Sequence, residues 1–461
     1  MIGVSMTPAG KVKIALVAYW FYPNTIVSAR RIMNIYQEMS RYRDLQLDVL
    51  TGSFNRELPV QDRFPVDLGN VRYIKLYKNT LEKHLFAEKN AFFHFLNRSV
   101  YLGKEEKRLG RAVRRLNGLH NYDILYLSLG PFSPLLKTAY ALKKQYPGKR
   151  VIVEYRDEWV EGPVSYAARN RLIHPYNRWR SIYRRMAGHL HDRTANKLEQ
   201  KVLPVCDAIV VISREMIGHF IRRIPGLSSE KFRYIPNGIS DDEIAGLEKW
   251  RRAKQPPAGK VLRIMYAGSL FGTQDIRPFL DGVRSLIDND KIAPGEIEIN
   301  IFGQHERQWK EWPDSLKKAV SYRGGVPRGE IFRQYFTHDV ILFIIGDWPK
   351  SEITMTGKIF ELIESGQPIL ALLPLHKNGC AEKLLKKTNA AYLADINSRE
   401  SIQKALLHLL EQKRSGGEIY TERREMDWFY RHHHYRNICR RLYESCFKPA
   451  PCPGRQLSAS R

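Results

Sequence analysis

The chain has 461 residues, 43% hydrophobic, 11% aromatic and 27% charged, a balance that builds folded cores and excludes a disordered or fibrous polypeptide. Lys and Arg number 75 against 48 Asp and Glu, and the formal charge of +27 points to a polyanion: nucleic acid, an anionic bilayer surface or a phosphorylated substrate. Five cysteines without a CxxC pair indicate neither a disulfide framework nor a zinc ribbon, and they suit a reducing compartment.

From the start, the apolar run Ile14 to Tyr22 is too short to span a bilayer, and no small-residue cleavage pattern follows a basic segment. It reads as a first core strand, "VKIALVAYW", leading to the helix "SARRIMNIYQEMSRY". Strands follow at "LQLDVLTG" and "VRYIKLY", the opening of a doubly wound sheet. Residues 78–117 are helical and basic. The sheet resumes with "YDILYLSL", the helix "PLLKTAYALKKQY" and the strand "RVIVEYRDEW". A second basic helical stretch fills 165–203. "CDAIVVIS" is a strand whose Ser213 can cap the next helix, with Glu215 in its first turn. "FRYIPNGIS" reads as a short strand closing on an Asn-Gly turn.

Residues 240–260 read as a helix followed by a Pro-Gly linker, and the alternation then restarts. Strands are expected at "VLRIMYAGS", "IEINIFG", "DVILFII", "PILALLP" and "AAYLAD", with helices at "IRPFLDGVRSLI", "RGEIFRQYF", "TGKIFELIESG" and "SRESIQKALLHLLE". The expected division is an N-terminal Rossmann-like domain over 11–240, a linker over 241–260, a second Rossmann-like domain over 261–415, a C-terminal helix over 416–448 and a frayed tail over 449–461. The cleft between two such halves is the default ligand site. "RHHHYR" lies within a C-terminal helix pattern and is too contiguous for a tetrahedral metal site, so no metal is expected.

In a helix beginning near Thr356–Gly357, first-turn N–H groups lack intrahelical partners and carry partial positive charge, a ready place for phosphate. Gly357 allows close approach and Lys358 adds a mobile cation. Glu361 lies ~4.5 Å further along the axis, a spacing suited to ribose hydroxyls. The bland alternative is an i,i+3 ion pair worth a few tenths of a kcal/mol.

"MTGKIFELIESGQPILALLP" resembles the donor-site signature of GT-B glycosyltransferases, in particular the family-4-like enzymes of polysaccharide and lipopolysaccharide assembly. In order along the chain, "VAYWFYPNTIVSARR", "LSLGPFSP", "VEYRDEW", "DAIVVISREM", "YIPNGIS", "YAGSL", "IFGQ" and "RGGVPRGEIFRQYFTHDVILF" are similar to other segments of that family, over roughly residues 12–410. The resemblance implies an α/β GT-B fold: two doubly wound Rossmann-like domains face a cleft, and the C-terminal helix packs back on the first. It implies metal-independent, retaining transfer of a sugar from a nucleotide-diphosphate sugar, a substrate rather than a cofactor, to a hydroxyl of a lipid-linked saccharide. It also carries residue roles. Gly268 and Ser269 face the diphosphate, Gly303 ends the strand beside the base, Val326 and Pro327 contact the base, Lys358 contacts phosphate and Glu361 holds the ribose.

The sequence also departs from the pattern. Counting eight back from Glu361 reaches Ile353, so the acid expected at the donor sugar is Glu352, one place away. Where many members carry Arg and then Lys after the loop glycine, this chain has Ser269, Thr273 and Gln274, with Arg277 beyond. In "EYRDEW", Asp157 is the first choice for orienting or deprotonating an acceptor; an inverting transfer would need such a base. Arg30 and Arg31 offer charge to a donor phosphate or an anionic acceptor.

Basic residues interleaved with aromatics over 84–115 and 165–201 suit an anchor at an anionic leaflet. The implied location is the cytoplasmic face of the cell membrane, with nucleic acid not expected as a partner. Two other readings remain open: a basic nucleic-acid-binding protein, and a GT-B relative that epimerises sugar nucleotides. Dinucleotide oxidoreduction is disfavoured because "FYPNTIVSA", not a G-x-G-x-x-G, follows the first strand.

Overall fold

The computed structural model describes residues 11–22, 27–53, 68–75, 104–129, 135–160, 178–253, 259–268, 270, 274–303, 314–416 and 418–448. Two all-parallel sheets organise them. The first has seven strands in the order β3-β2-β1-β4-β5-β6-β7: β1 Val12–Ala18, β2 Leu45–Ser53, β3 Val71–Lys75, β4 Ile124–Leu129, β5 Arg150–Tyr155, β6 Ala208–Val211 and β7 Phe232–Tyr234. The second has six in the order β10-β9-β8-β11-β12-β13: β8 Leu262–Ala267, β9 Ile297–Phe302, β10 Val320–Gly324, β11 Val340–Ile344, β12 Ile369–Leu373 and β13 Ala391–Asp395. β4 and β11 are buried along their whole length. Such near-continuous apolar runs are what a parallel sheet covered by helices on both faces requires.

Each sheet reverses its strand order once, between β1 and β4 and between β8 and β11. At such a switch point adjacent loops diverge and leave a crevice at the carboxyl ends of the strands, where open α/β sheets bind ligands. The helices that shape these crevices are α1 Val27–Met39, α2 Lys104–His120, α3 Leu135–Gln145, α4 Arg178–Val202 and α5 Arg214–Arg223 in the N-terminal lobe. In the C-terminal lobe they are α6 Asp241–Arg252, α7 Arg277–Asp288, α8 Asp314–Lys317, α9 Arg328–Tyr335, α10 Lys358–Ser365, α11 Cys380–Thr388 and α12 Arg399–Arg414. Ser213 caps α5 by accepting from Met216 N, as its sequence position predicts. Ser240 and Glu243 close a capping box at the start of α6, which packs on α9 and α10.

α13 Met426–His433 packs Phe429 beside Phe360 of α10, and α14 Tyr435–Leu442 then crosses to the N-terminal lobe. There Ile438, Cys439, Leu442, Cys446 and Phe447 join a core with Ile14, Leu16 and Val210. The crossing runs beside residues 235–239. Ile239 N donates to His433 O at 2.8 Å and Tyr435 N donates to Ile239 O at 3.0 Å. Two expectations change here. The Asn237-Gly238 pair makes no turn; the backbone stays open, and Gly238 is needed because a Cβ would stand 2.0 Å from His433 O. The histidine run is not one helix. His434 is extended, His432 stacks on Trp428, His433 is buried, and His434 Nε2 meets Asp241 at 2.9 Å.

Cys206, Cys380, Cys439 and Cys446 are free and buried. Among the described residues no helix is long and apolar enough to cross a membrane, and no group of three His, Cys, Asp or Glu side chains could hold a metal ion.

Candidate active site

Three loops meet at the carboxyl end of the second sheet. Gly268 ends β8 at φ +157° and Gly303 ends β9 at φ +150°, regions that favour glycine. A Cβ on Gly303 would lie 2.3 Å from Gly268 O, so the two backbones touch only because no side chain separates them. Gly268 N donates to Phe302 O at 3.0 Å, and Gly303 N to Gly324 O at 2.9 Å, which ties the strand ends into one floor. Ser269 lies outside the described residues, as does Thr273.

α10 starts on this floor. Gly357 is its N-cap, no side chain caps it, and a Cβ on Gly357 would meet nothing within 4 Å. Lys358 Nζ donates to Ala267 O and sits 4.8 Å from the Tyr266 ring centroid. Burial draws the Lys358 ammonium down to about 8 against the support of the Glu361 charge. Gly366, at φ +74°, ends the helix in the left-handed conformation before β12.

Glu361 does not pair with Lys358 as a simple surface pair would. Its Oε2 lies 2.6 Å from Arg328 of α9, and its Oε1 accepts from Tyr335 Oη at 2.8 Å. Arg328 also holds Glu243 of α6 at 2.6 Å. Burial would raise the Glu361 carboxyl; Arg328, then Arg30 of α1, Tyr335 and Lys358 outweigh it, so the net shift is downward. Arg30 therefore brings its charge from the N-terminal lobe to this carboxylate. Val326 is half-buried, exposed Pro327 N-caps α9, and both immediately precede the Arg328 clamp.

Between β11 and α10 runs the segment that carries Glu352, within the 3-10 turn Ser351–Ile353. Trp348 Nε1, Ser351 Oγ, Glu352 Oε2 and Thr356 Oγ1 are buried and have no hydrogen-bond partner among the described residues. Each such group costs ~1–3 kcal/mol in the folded chain unless something polar meets it. Four such atoms fall within the nine residues 348–356.

The facing wall comes from the N-terminal lobe. Arg156, Asp157, Glu158, Ile212 and Met216 line one cavity with Trp348, Lys350, Ile353, Thr354 and Met355. Asp157 is exposed to this cleft while protein surrounds it more widely, and burial raises its carboxyl despite the lowering charge of Arg156. Arg31 does not reach the cleft, contrary to the role offered above. It is 2% exposed, donates to Glu154 at 2.8 Å and to Ile235 O at 2.8 Å, and also holds Pro236 O. Glu154 accepts in addition from Tyr126 and Ser128, so this half of "EYRDEW" is a structural clamp.

The structure thus sets Gly268, Gly303 and Lys358 side by side at the carboxyl end of the second sheet, with Glu361 one turn along α10 and held by Arg328, the residue that follows Val326 and Pro327. Asp157 stands on the wall of the interlobe cavity, and Glu352 on the segment leading from that cavity to α10. Sequence reasoning missed Arg328, Tyr335, Ser351, Thr356 and His219. Arg328 and Tyr335, seven residues apart on α9, were findable as one helix face. His219 gave no local signal.

No family model matches the chain, and no curated protein matches it in sequence. Solved structures do match. The E. coli trehalose-6-phosphate protein bound with UDP-2-fluoro glucose superposes with a TM-score of 0.59 at 12% identity, over 95% of this chain and 100% of its own. A glycosyltransferase from Rickettsia africae ESF-5 gives 0.58 at 11%, over 95% and 100%. WaaG, a glycosyltransferase involved in lipopolysaccharide biosynthesis, gives 0.52 at 13%, over 94% of each chain. Two parallel sheets with one switch point each, facing across a cleft and tied by a returning C-terminal helix, make this chain a GT-B fold, the fold of those glycosyltransferases.

Proposed function

We propose that the chain is a glycosyltransferase that binds a nucleotide-sugar donor in the C-terminal lobe and passes its sugar to an acceptor hydroxyl in the cleft. The carrying observation is that a helix start without a side-chain cap and Lys358 lie beside the Gly268–Gly303 floor, one helical turn from a Glu361 oriented by Arg328 and Tyr335. Helix N–H groups and the ammonium would take the diphosphate, and Glu361 the ribose hydroxyls. Val326 and Pro327 would meet the base, and the unpartnered Ser351, Glu352 and Thr356 groups the sugar hydroxyls.

In the reaction the acceptor oxygen bonds to the anomeric carbon, the bond from that carbon to the phosphate oxygen breaks, and the nucleoside diphosphate leaves with the electron pair. Cations at the leaving oxygen stabilise the charge that develops there. Asp157 would orient the acceptor hydroxyl, and the proton of that hydroxyl would pass to the departing phosphate oxygen; only an inverting transfer would need Asp157 as its base. We take residues 11–240 as the acceptor side and 261–415 as the donor side, with retaining, metal-independent transfer. The acceptor would be a lipid-linked saccharide at the cytoplasmic face of the membrane, which fits the basic charge. Sugar-nucleotide epimerisation, the second reading for this fold, would turn over donor without acceptor.

Thermal shift against UDP-, GDP- and dTDP-sugars tests the reading. One nucleotide class should raise Tm, and Glu361→Ala should remove the shift. Full retention of binding by that variant would displace the ribose site from Glu361.

A further inference from the structure

Where the lobes touch, two N-terminal side chains interlock with two C-terminal ones. Glu158 follows β5 and His219 lies on α5; Lys350 and Glu352 belong to the segment after β11. Lys350 Nζ donates to Glu158 Oε2 and, at 2.9 Å, to Val160 O. His219 Nδ1 lies 2.9 Å from Glu158 Oε1, and its Nε2 lies 3.3 Å from Glu352 Oε1. Burial would raise the Glu158 carboxyl, but the His219 hydrogen bond and the Lys350 charge outweigh it and keep it ionised. With a carboxylate at each nitrogen the ring donates to both only as imidazolium; in that form it is oriented on one side by a fixed anion and presents its other N–H across the interface as an ion-pair contact. Glu215, one turn earlier on α5, meets Lys383 of α11 at 3.0 Å and holds the same helix against the turn that carries Glu352.

We propose that His219 is a positioning residue for Glu352: it fixes that carboxylate at the donor sugar from the opposite lobe, so that Glu352 takes its working orientation only when the lobes are together. The proposal rests on the transferase reading above. Its physical basis is direct. Glu352 uses one oxygen on His219 and leaves the other buried and unpartnered among the described residues. A carboxylate held at one oxygen by an oriented ring has its remaining lone pairs aimed in one direction. Without that contact this oxygen loses the cross-lobe partner that orients it. Because the ring and the carboxylate come from different lobes, opening the cleft breaks the contact and stands the acid down, which protects bound donor from water.

The two nitrogens of His219 can be tested separately, since an asparagine amide nitrogen falls near imidazole Nδ1 and a glutamine one near Nε2. His219→Gln keeps a donor to Glu352 and should retain turnover of the donor that wild type uses. His219→Asn keeps only the Glu158 contact and should lose kcat on the order of tenfold to a hundredfold, with KM changed less than about threefold. Affinity for UDP, GDP or dTDP, read by calorimetry, should be the same in all three proteins. A packing role would damage Asn and Gln variants alike; equal turnover in the two overturns the proposal while leaving the transferase reading intact. A wild-type chain that binds no nucleotide and turns over no nucleotide sugar overturns both. Thermal melting checks each fold, and His219→Ala replaces the Asn variant, with the same expected loss, should that one unfold.

Discussion

At the level of single residues, charge and burial decide which cations are spent inside the fold. Arg30 and Arg31 are neighbours in sequence, yet helical geometry turns Arg31 inward onto Glu154 and leaves Arg30 near Glu361. A guanidinium buried against a carboxylate holds structure; removing one partner of such a pair costs ~3–5 kcal/mol because the other charge is stranded. Lys358 is the opposite case. Its burial lowers the ammonium to about 8, so it remains mostly charged at neutral pH but gives up its proton within an accessible range. The protonated form attracts a diphosphate and the neutral form does not. UDP affinity should therefore be flat near pH 7 and fall as pH rises through and beyond about 8, on the order of tenfold by pH 9.5, in titration calorimetry. Lys358→Met should bind weakly with no such step; wild-type affinity in that variant would remove the lysine from the phosphate site.

Among the elements, the strands and most helices follow from local pattern, and the exceptions arise where two elements cross. β1, β4 and β11 are near-continuous apolar runs and form where they are expected. Capping by Ser213 and the Gly366 stop are equally local. The Asn237-Gly238 pair misleads because its chemistry is used on distant segments of the chain. Asn237 Nδ2 donates to Met355 O at 2.9 Å, and Gly238 makes room for the returning C-terminus. His433 is likewise set by contact: its burial lowers the imidazole to about 3, against a hydrogen bond with Asn237 O. Gly238→Ala should destabilise the chain by ~2 kcal/mol or more, seen as a lower urea midpoint, since the added carbon meets backbone rather than a movable side chain. An unchanged midpoint would mean that the two segments do not cross this closely.

For the whole molecule, net charge is the property that sequence supplies most directly and places least well. The +27 has to cover a surface, and α2 carries Lys107, Arg108, Arg111, Arg114 and Arg115 while α4 carries Arg193, Lys197 and Lys201. The aromatic stretches 84–102 and 165–177 that accompany them in sequence lie outside the described residues. At ~1 kcal/mol per basic residue near an anionic leaflet, the chain should pellet with phosphatidylglycerol vesicles, not with pure phosphatidylcholine ones, and release in high salt. Equal recovery from the two vesicle types would remove the membrane proposal. The sequence by itself determined the two sheets, their alternation with helices, and the Lys358–Glu361 spacing, because period and propensity act over a few residues. Only the tertiary structure decided that Arg328 and Tyr335 hold Glu361, that Arg31 is spent inside the fold, and that His219 meets Glu352 across the cleft. Those contacts join residues tens to hundreds of positions apart, and no local periodicity encodes which distant side chain will complete a charge.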